Sequence, residues 1–175
     1  MKKINLGLIG ASGKMGTAIR DCLKGSQFIP FVAISSKECP DFKHQFKTTT
    51  EIPKKVSEKV DVWIEFSSIE TLLNFLKESK SEKIKIVSGT TGLSNAEFKK
   101  LKSFSKKSAL FWSSNMSPGL WALRQALKAF SQISDFQFSI EETHHLQKKD
   151  NPSGTAITLQ KDLEKILHKK LKTPV

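Results

Sequence analysis

Ile4-Asn5-Leu6-Gly7-Leu8-Ile9-Gly10-Ala11-Ser12-Gly13-Lys14-Met15-Gly16 decides the fold. Ile4 to Ile9 is a short aliphatic run that suits a buried strand. It breaks into glycines at every third position, Gly10, Gly13 and Gly16. Beyond them Met15, Ala18, Ile19, Cys22 and Leu23 recur at helical spacing, which predicts a helix with one apolar face. A strand, a glycine turn and a helix make a phosphate cradle. The turn has to be tight, the backbone has to approach a pyrophosphate closely, and the helix N-terminus has to offer N–H groups to an anion. The usual dinucleotide fingerprint sets its first two glycines two apart, so this spacing is a variant of it. A glycine turn alone is also compatible with a purely structural bend.

Outward from this stretch, strand-like runs alternate with stretches of helical period. Phe28 to Ile34 and Val60 to Phe66 read as strands, and Ile69, Leu72, Leu73 and Leu76 mark a helix. Ile84 to Val87 reads as another strand. Ser94 and Glu97 form a capping box opening a helix through Phe98, Leu101 and Phe104, and Leu110 to Trp112 ends the series. The alternation predicts an α/β domain over residues 1–116, a Rossmann-like, doubly wound parallel sheet with right-handed crossovers.

A second, α+β domain is expected over residues 117–175. Ser117 and Pro118 suit the cap and first turn of a helix carrying Leu120, Leu123, Leu127 and Phe130. Phe136, Phe138 and Ile140 alternate with polar residues and predict a strand with one apolar face. A polar loop from Thr143 to Ser153 leads to a last helix with Ala156, Leu159, Leu163, Ile166 and Leu167. A lone strand leaves an unpaired edge, so residues beyond Val175 or a partner chain are expected to complete its sheet.

Lys and Arg total 29 against 17 acidic residues, a net charge of +12. That balance favours anionic ligands. It does not point to nucleic acid, because only Arg20 and Arg124 are arginines and base readers favour the forked guanidinium. No apolar run is long enough to span a bilayer, and the basic start is followed by too short an apolar stretch for a signal peptide. A cytoplasmic protein with no membrane role is expected. Cys22 falls on the apolar stripe of the first helix and is expected to be a buried small hydrophobe.

At the end of the second strand an acidic residue normally accepts the adenosine ribose hydroxyls. Here the tip reads Ile34-Ser35-Ser36-Lys37-Glu38. Ser35, Ser36 and Lys37 suit a 2′-phosphate better than a free diol, which favours NADPH over NADH.

The densest chemistry lies in Glu142-Thr143-His144-His145-Leu146-Gln147-Lys148-Lys149-Asp150-Asn151-Pro152-Ser153-Gly154-Thr155-Ala156. It offers imidazoles able to donate a proton, lysines able to hold negative charge, and a helix start whose N–H groups and hydroxyls suit a carboxylate. Ser-Gly-Thr before a helix is also ordinary capping chemistry. Adjacent histidines on a strand face opposite ways, and no further ligand stands at zinc spacing, so no metal is expected.

This run, E-x-H-H-x-x-K-x-D-x-P-S-G-T-A, resembles the signature of the dihydrodipicolinate reductases. Gly10 to Gly16, Val62-Trp63-Ile64-Glu65-Phe66-Ser67, Ser88-Gly89-Thr90-Thr91-Gly92 and Ser114-Asn115-Met116-Ser117 agree with that family in the same order. The resemblance implies reduction of 4-hydroxy-tetrahydrodipicolinate, a small dicarboxylate, by NADPH or NADH in diaminopimelate and lysine biosynthesis.

It further implies that Gly10, Ala11, Ser12, Gly13, Lys14, Met15 and Gly16 hold the pyrophosphate. Gly89, Thr90 and Thr91 would line the nicotinamide ribose, Phe66 would also bind the cofactor, and Ser114, Asn115 and Met116 would border the nicotinamide. His144 would donate the proton with Lys148 as its partner in charge handling, while His145, Ser153, Gly154 and Thr155 would grip substrate carboxylates. A homo-oligomer is implied, a tetramer in the family. Two features depart from the pattern. Ser68 stands where the family often has an Arg, and the family's substrate domain continues for several more strands. A homologue that binds nucleotide without turnover is the alternative.

Overall fold

The glycine stretch lies between β1, Ile4–Ile9, and α1, Lys14–Leu23. Then come β2 (Phe28–Ile34), β3 (His44–Phe46), a 3₁₀ turn at Thr49–Glu51, and a single turn α2 (Lys54–Ser57). β4 (Val62–Glu65), α3 (Ile69–Glu78), β5 (Lys85–Ser88), α4 (Asn95–Phe104) and β6 (Ala109–Trp112) follow. The structure is a computed structural model and describes residues 2–79, 83–143 and 152–171. The chain divides into two compact units, Met1–Ser113 and Ser114–Val175.

In the first unit six parallel strands take the order β3-β2-β1-β4-β5-β6. The order turns back at β1, so β1 and β4 lie side by side with their following loops adjacent. Such a point is where open α/β sheets bind ligands. Both sheet faces are covered. Leu6 and Leu8 of β1 pack with Leu23 of α1, Ala33, Cys39 and Phe42. Ile9 and Trp63 pack on the other side with Leu72, Phe75 and Leu76 of α3 and Leu101 of α4. Each large side chain so buried contributes about 1.5–3 kcal/mol. The parallel, doubly wound sheet expected from the sequence is therefore present.

Two expectations of detail are corrected. β3 was not visible in the sequence, because His44-Gln45-Phe46 is short and without an apolar run. The inward line of α1 is Gly16, Ile19 and Leu23, whereas Met15 is 50% exposed and Cys22 is also exposed. Gly16 sets this rotation: a Cβ there would stand 2.7 Å from the Ala11 carbonyl oxygen, so the helix turns its bare position to the loop. Cys39, not Cys22, is the buried thiol.

Helix starts follow the sequence signals. The Ser94 hydroxyl accepts the Glu97 N–H at 3.3 Å while Glu97 accepts the Ser94 N–H at 2.7 Å, completing the capping box. Ser68 caps α3 by accepting the Thr71 N–H at 3.2 Å.

The second unit holds α5 (Pro118–Leu127), a 3₁₀ segment Lys128–Ile133 and α6 (Gly154–Leu167). Ser117 caps α5, with Pro118 in its first turn as expected. Arg124 pairs with Asp162 and ties α5 to α6. The strand expected through Phe136, Phe138 and Ile140 does not form. Among the described residues of this unit no strand lies beside it to take its backbone groups. Phe138 instead stacks on Phe130 with ring centroids 5.1 Å apart, and Lys169 Nζ donates to the Phe136 carbonyl at 3.1 Å. Alternating aromatics here serve a turn, not a sheet.

Candidate active site

Gly10 leaves β1 with φ of 86°, a conformation that favours glycine. Its N–H and that of Ala11 donate to the Ile34 carbonyl of β2 at 3.0 and 3.1 Å. A Cβ on Gly10 would stand 2.3 Å from the Phe66 carbonyl oxygen, so the turns after β1 and β4 touch backbone to backbone. Gly13 occupies the cap position of α1 and supplies no side-chain cap, and no acidic residue stands in the first turn. The first-turn amides of Lys14, Met15 and Gly16 are thus uncapped by any side chain. Ser12 is half-buried, while Lys14 and Met15 are exposed. This is an anion cradle in geometry and charge, and it fits a pyrophosphate.

At the tip of β2 the three expected residues separate. Ser35 is buried, and its hydroxyl donates to the Lys37 carbonyl at 2.6 Å and accepts the Lys37 N–H at 3.0 Å. It fixes the turn. Ser36 and Lys37 are exposed. Gln45 braces the same turn, donating to the Lys37 carbonyl at 2.9 Å and accepting the Cys39 N–H at 2.7 Å. Arg20 of α1 pairs with Asp41 just beyond. The guanidinium holds the Asp41 carboxyl below its ordinary value of 3.8.

Glu65 ends β4 with no exposed surface. Its Oε1 accepts the Ser67 N–H at 2.7 Å, the Ser67 hydroxyl at 2.6 Å and the Thr90 hydroxyl at 2.7 Å. Its Oε2 accepts the Ser88 hydroxyl at 2.6 Å and again Thr90 at 2.9 Å. Gly89 lies between Ser88 and Thr90 against the Phe66 ring, where a Cβ would be 2.0 Å from Cε1. Phe66, Gly89 and Thr90, three of the residues expected to bind the cofactor, are therefore brought together. Thr91 beside them is exposed. Glu65 itself was given no role on sequence grounds. A charged residue inside Val62-Trp63-Ile64-Glu65-Phe66 was the available signal, since a buried carboxylate requires donors.

In the second unit Asn115 accepts the Ser117 N–H at 2.8 Å and donates to the Thr155 hydroxyl at 3.4 Å. A residue expected at the nicotinamide and one expected at the substrate thus meet. Ser114 and Met116 flank Asn115, and Met116 is exposed. Ser153 caps α6 by accepting the Ala156 N–H at 3.0 Å. Its own N–H donates to Glu142 at 2.6 Å, and its hydroxyl donates to the other Glu142 oxygen. Glu142, unremarked in the sequence except as the first residue of the signature, orients the helix start. His144, His145 and Lys148 lie outside the described residues. Among the described residues no cluster of three or more His, Cys, Asp and Glu stands ready for a metal, and no helix is long and apolar enough to cross a membrane.

Comparison with known proteins accords with this geometry. The family model of the dihydrodipicolinate reductase N-terminus matches residues 4–116, and that of its C-terminus matches residues 119–173. A 4-hydroxy-tetrahydrodipicolinate reductase of Bdellovibrio bacteriovorus is 46% identical over 98% of this chain and 70% of its own length. The reductase of the same name from Caldanaerobacter subterraneus is 36% identical over 95% of this chain and 66% of its own. The chain thus spans about two thirds of the length of such relatives. A dipicolinate-bound dihydrodipicolinate reductase from Paenisporosarcina superposes with a TM-score of 0.70 over 94% of this chain and 66% of its own, at 19% identity, and shares the fold. The chain belongs to the dihydrodipicolinate reductase family, nicotinamide-dependent oxidoreductases of diaminopimelate and lysine biosynthesis.

Proposed function

We propose that this chain reduces 4-hydroxy-tetrahydrodipicolinate to tetrahydrodipicolinate, with NADPH preferred over NADH. The observation that carries the reading is the glycine turn of Gly10, Gly13 and Gly16, placed between β1 and an uncapped α1 where the strand order reverses. Family membership names the chemistry that such a cradle serves. The nicotinamide supplies a hydride, and every other task falls to the chain. The first-turn amides with Lys14 neutralise the pyrophosphate. Ser36 and Lys37, exposed on the turn that Ser35 braces, face the 2′-phosphate. Phe66, Gly89, Thr90 and Thr91 shape the ribose end, with Ser114, Asn115 and Met116 at the nicotinamide.

Residues 117–175 serve the substrate in this reading, and 1–116 the cofactor. A dicarboxylate meets the amides of Gly154 and Thr155, the Thr155 hydroxyl and His145, while Ser153 orients that turn through Glu142. His144 gives up the proton that completes the reduction, the 4-hydroxyl group of the substrate leaving as water, because an imidazole titrates near neutrality. Lys148 stabilises the negative charge that develops. A cytoplasmic homo-oligomer is part of the same reading. The test is NADPH oxidation with substrate freshly made by the preceding synthase. Turnover dependent on that substrate supports the proposal. Tight NADPH binding without turnover would leave only a nucleotide-binding homologue.

A further inference from the structure

A carboxylate has no reason of stability to end β4. Its strand neighbours are apolar, and desolvating a charge in that place costs more than burying a hydrocarbon of equal size. Yet Glu65 is completely buried and accepts four protons, from the Ser67 N–H and the hydroxyls of Ser67, Ser88 and Thr90, the last shared between both its oxygens. Ser88 is 0% and Thr90 4% exposed, so that side of the cluster is sealed beneath the surface, with Ser67 half-buried at its edge. Ser67 belongs to the turn after β4, Ser88 ends β5, and Thr90 lies in the turn that follows it. The carboxylate therefore bolts two neighbouring turns to a common point.

The hydrogen-bond polarity is also determined. A carboxylate oxygen only accepts, and each hydroxyl has one proton. The hydroxyl protons of Ser67, Ser88 and Thr90 are all directed at Glu65, so none of the three rotates freely. Gly89 rides between two anchored residues, pressed on the Phe66 ring. The Gly89 N–H donates to the Glu65 carbonyl at 2.9 Å, and the Trp112 indole N–H donates to the Thr90 carbonyl at 2.9 Å. The stretch from Ser88 to Thr90 is thus tied to Glu65 on one side and to Trp112 on the other.

We infer that Glu65 is a positioning residue, which sets the nicotinamide-ribose end of the cofactor site without touching the cofactor. The inference rests on the proposed function, which puts Phe66, Gly89, Thr90 and Thr91 at that ribose. Glu65→Gln keeps the volume but replaces one acceptor by an amide donor, so Ser88 or Thr90 has to turn its hydroxyl away. The adenosine end, built on the turns after β1 and β2, does not share these bonds.

The experiment measures, for wild type and Glu65→Gln, the dissociation constants of NADPH and of 2′,5′-ADP, with kcat and thermal melting alongside. In the Gln variant the NADPH constant rises about tenfold and kcat falls further still, on the scale of a misplaced reacting group, while 2′,5′-ADP binding stays within about twofold. Equal loss of both ligands, or no change in either, would overturn the inference. Should Glu65→Gln fail to fold, Ser88→Ala removes one buried donor, and the same split between NADPH and 2′,5′-ADP is required of it. Failure of the wild type to bind NADPH would instead bring down the proposed function, and this inference with it.

Discussion

The Gly10 carbonyl oxygen occupies the place a side chain on Gly16 would need: a Cβ there would stand 2.2 Å away. The turn after β1 and the first coil of α1 are therefore in backbone contact, and this contact presents the helix amides to an anion. Gly16→Ala has to push either the loop or the helix aside. We expect it to destabilise the protein by about 1–3 kcal/mol, as overpacking does, and to weaken NADPH binding by more than that loss implies. Chemical denaturation and a binding titration on the same sample check both parts.

Gly154 makes the opposite case. It begins α6, and among the described residues nothing stands within 4 Å of a Cβ built there. No contact among the described residues requires a glycine at this point, and the carboxylate site proposed there would use a bare backbone. Gly154→Ala should fold at least as well as wild type, since alanine is the better helix former by up to about 1 kcal/mol. The KM for the dicarboxylate should rise while the affinity for NADPH stays level. An unchanged KM would remove Gly154 from the carboxylate site.

Much of this was legible in the sequence, and what was not has a physical reason. The strands β1, β2, β4, β5 and β6 and the caps at Ser94, Ser117 and Ser153 each declare themselves within a few adjacent residues. The rotation of α1 does not, because Gly16 is drawn inward by a close approach between backbones that no hydrophobic count registers. Cys22 was misplaced for that reason. The Phe136, Phe138 and Ile140 alternation has the period of a strand, but pairing needs a neighbour that no local pattern supplies. The Glu65 cluster joins residues more than twenty positions apart, and only the parallel register of β4 on β5 brings them together.

Lys37 is exposed on a turn braced by Ser35 and Gln45, so replacing it should leave the fold intact. Lys37→Glu places a negative charge where the 2′-phosphate is proposed to sit. The ratio of NADPH to NADH affinity should fall at least about tenfold, and the effect should shrink with added salt as exposed charge interactions do. Calorimetry at two ionic strengths measures it. A ratio that does not move would dismiss the phosphate pocket.

His144→Gln and Lys148→Ala should each lower kcat about a hundredfold or more, the scale of general-acid and electrostatic catalysis. NADPH affinity should barely change, since neither residue belongs to the nucleotide turns. A variant that retains wild-type turnover loses its assigned role, and one that loses NADPH binding places its residue on the cofactor side.

Transfer of the hydride itself separates a reductase from a nucleotide-binding homologue. The protein is supplied with NADPH deuterated at the transferring position of the nicotinamide and with 4-hydroxy-tetrahydrodipicolinate formed in place by the synthase. The product is then weighed by mass spectrometry. We expect tetrahydrodipicolinate carrying one deuterium, formed in step with NADPH consumed, and almost none from His144→Gln. Consumption of NADPH without deuterium in that product, or no consumption by protein that binds NADPH tightly, would contradict the proposed reduction.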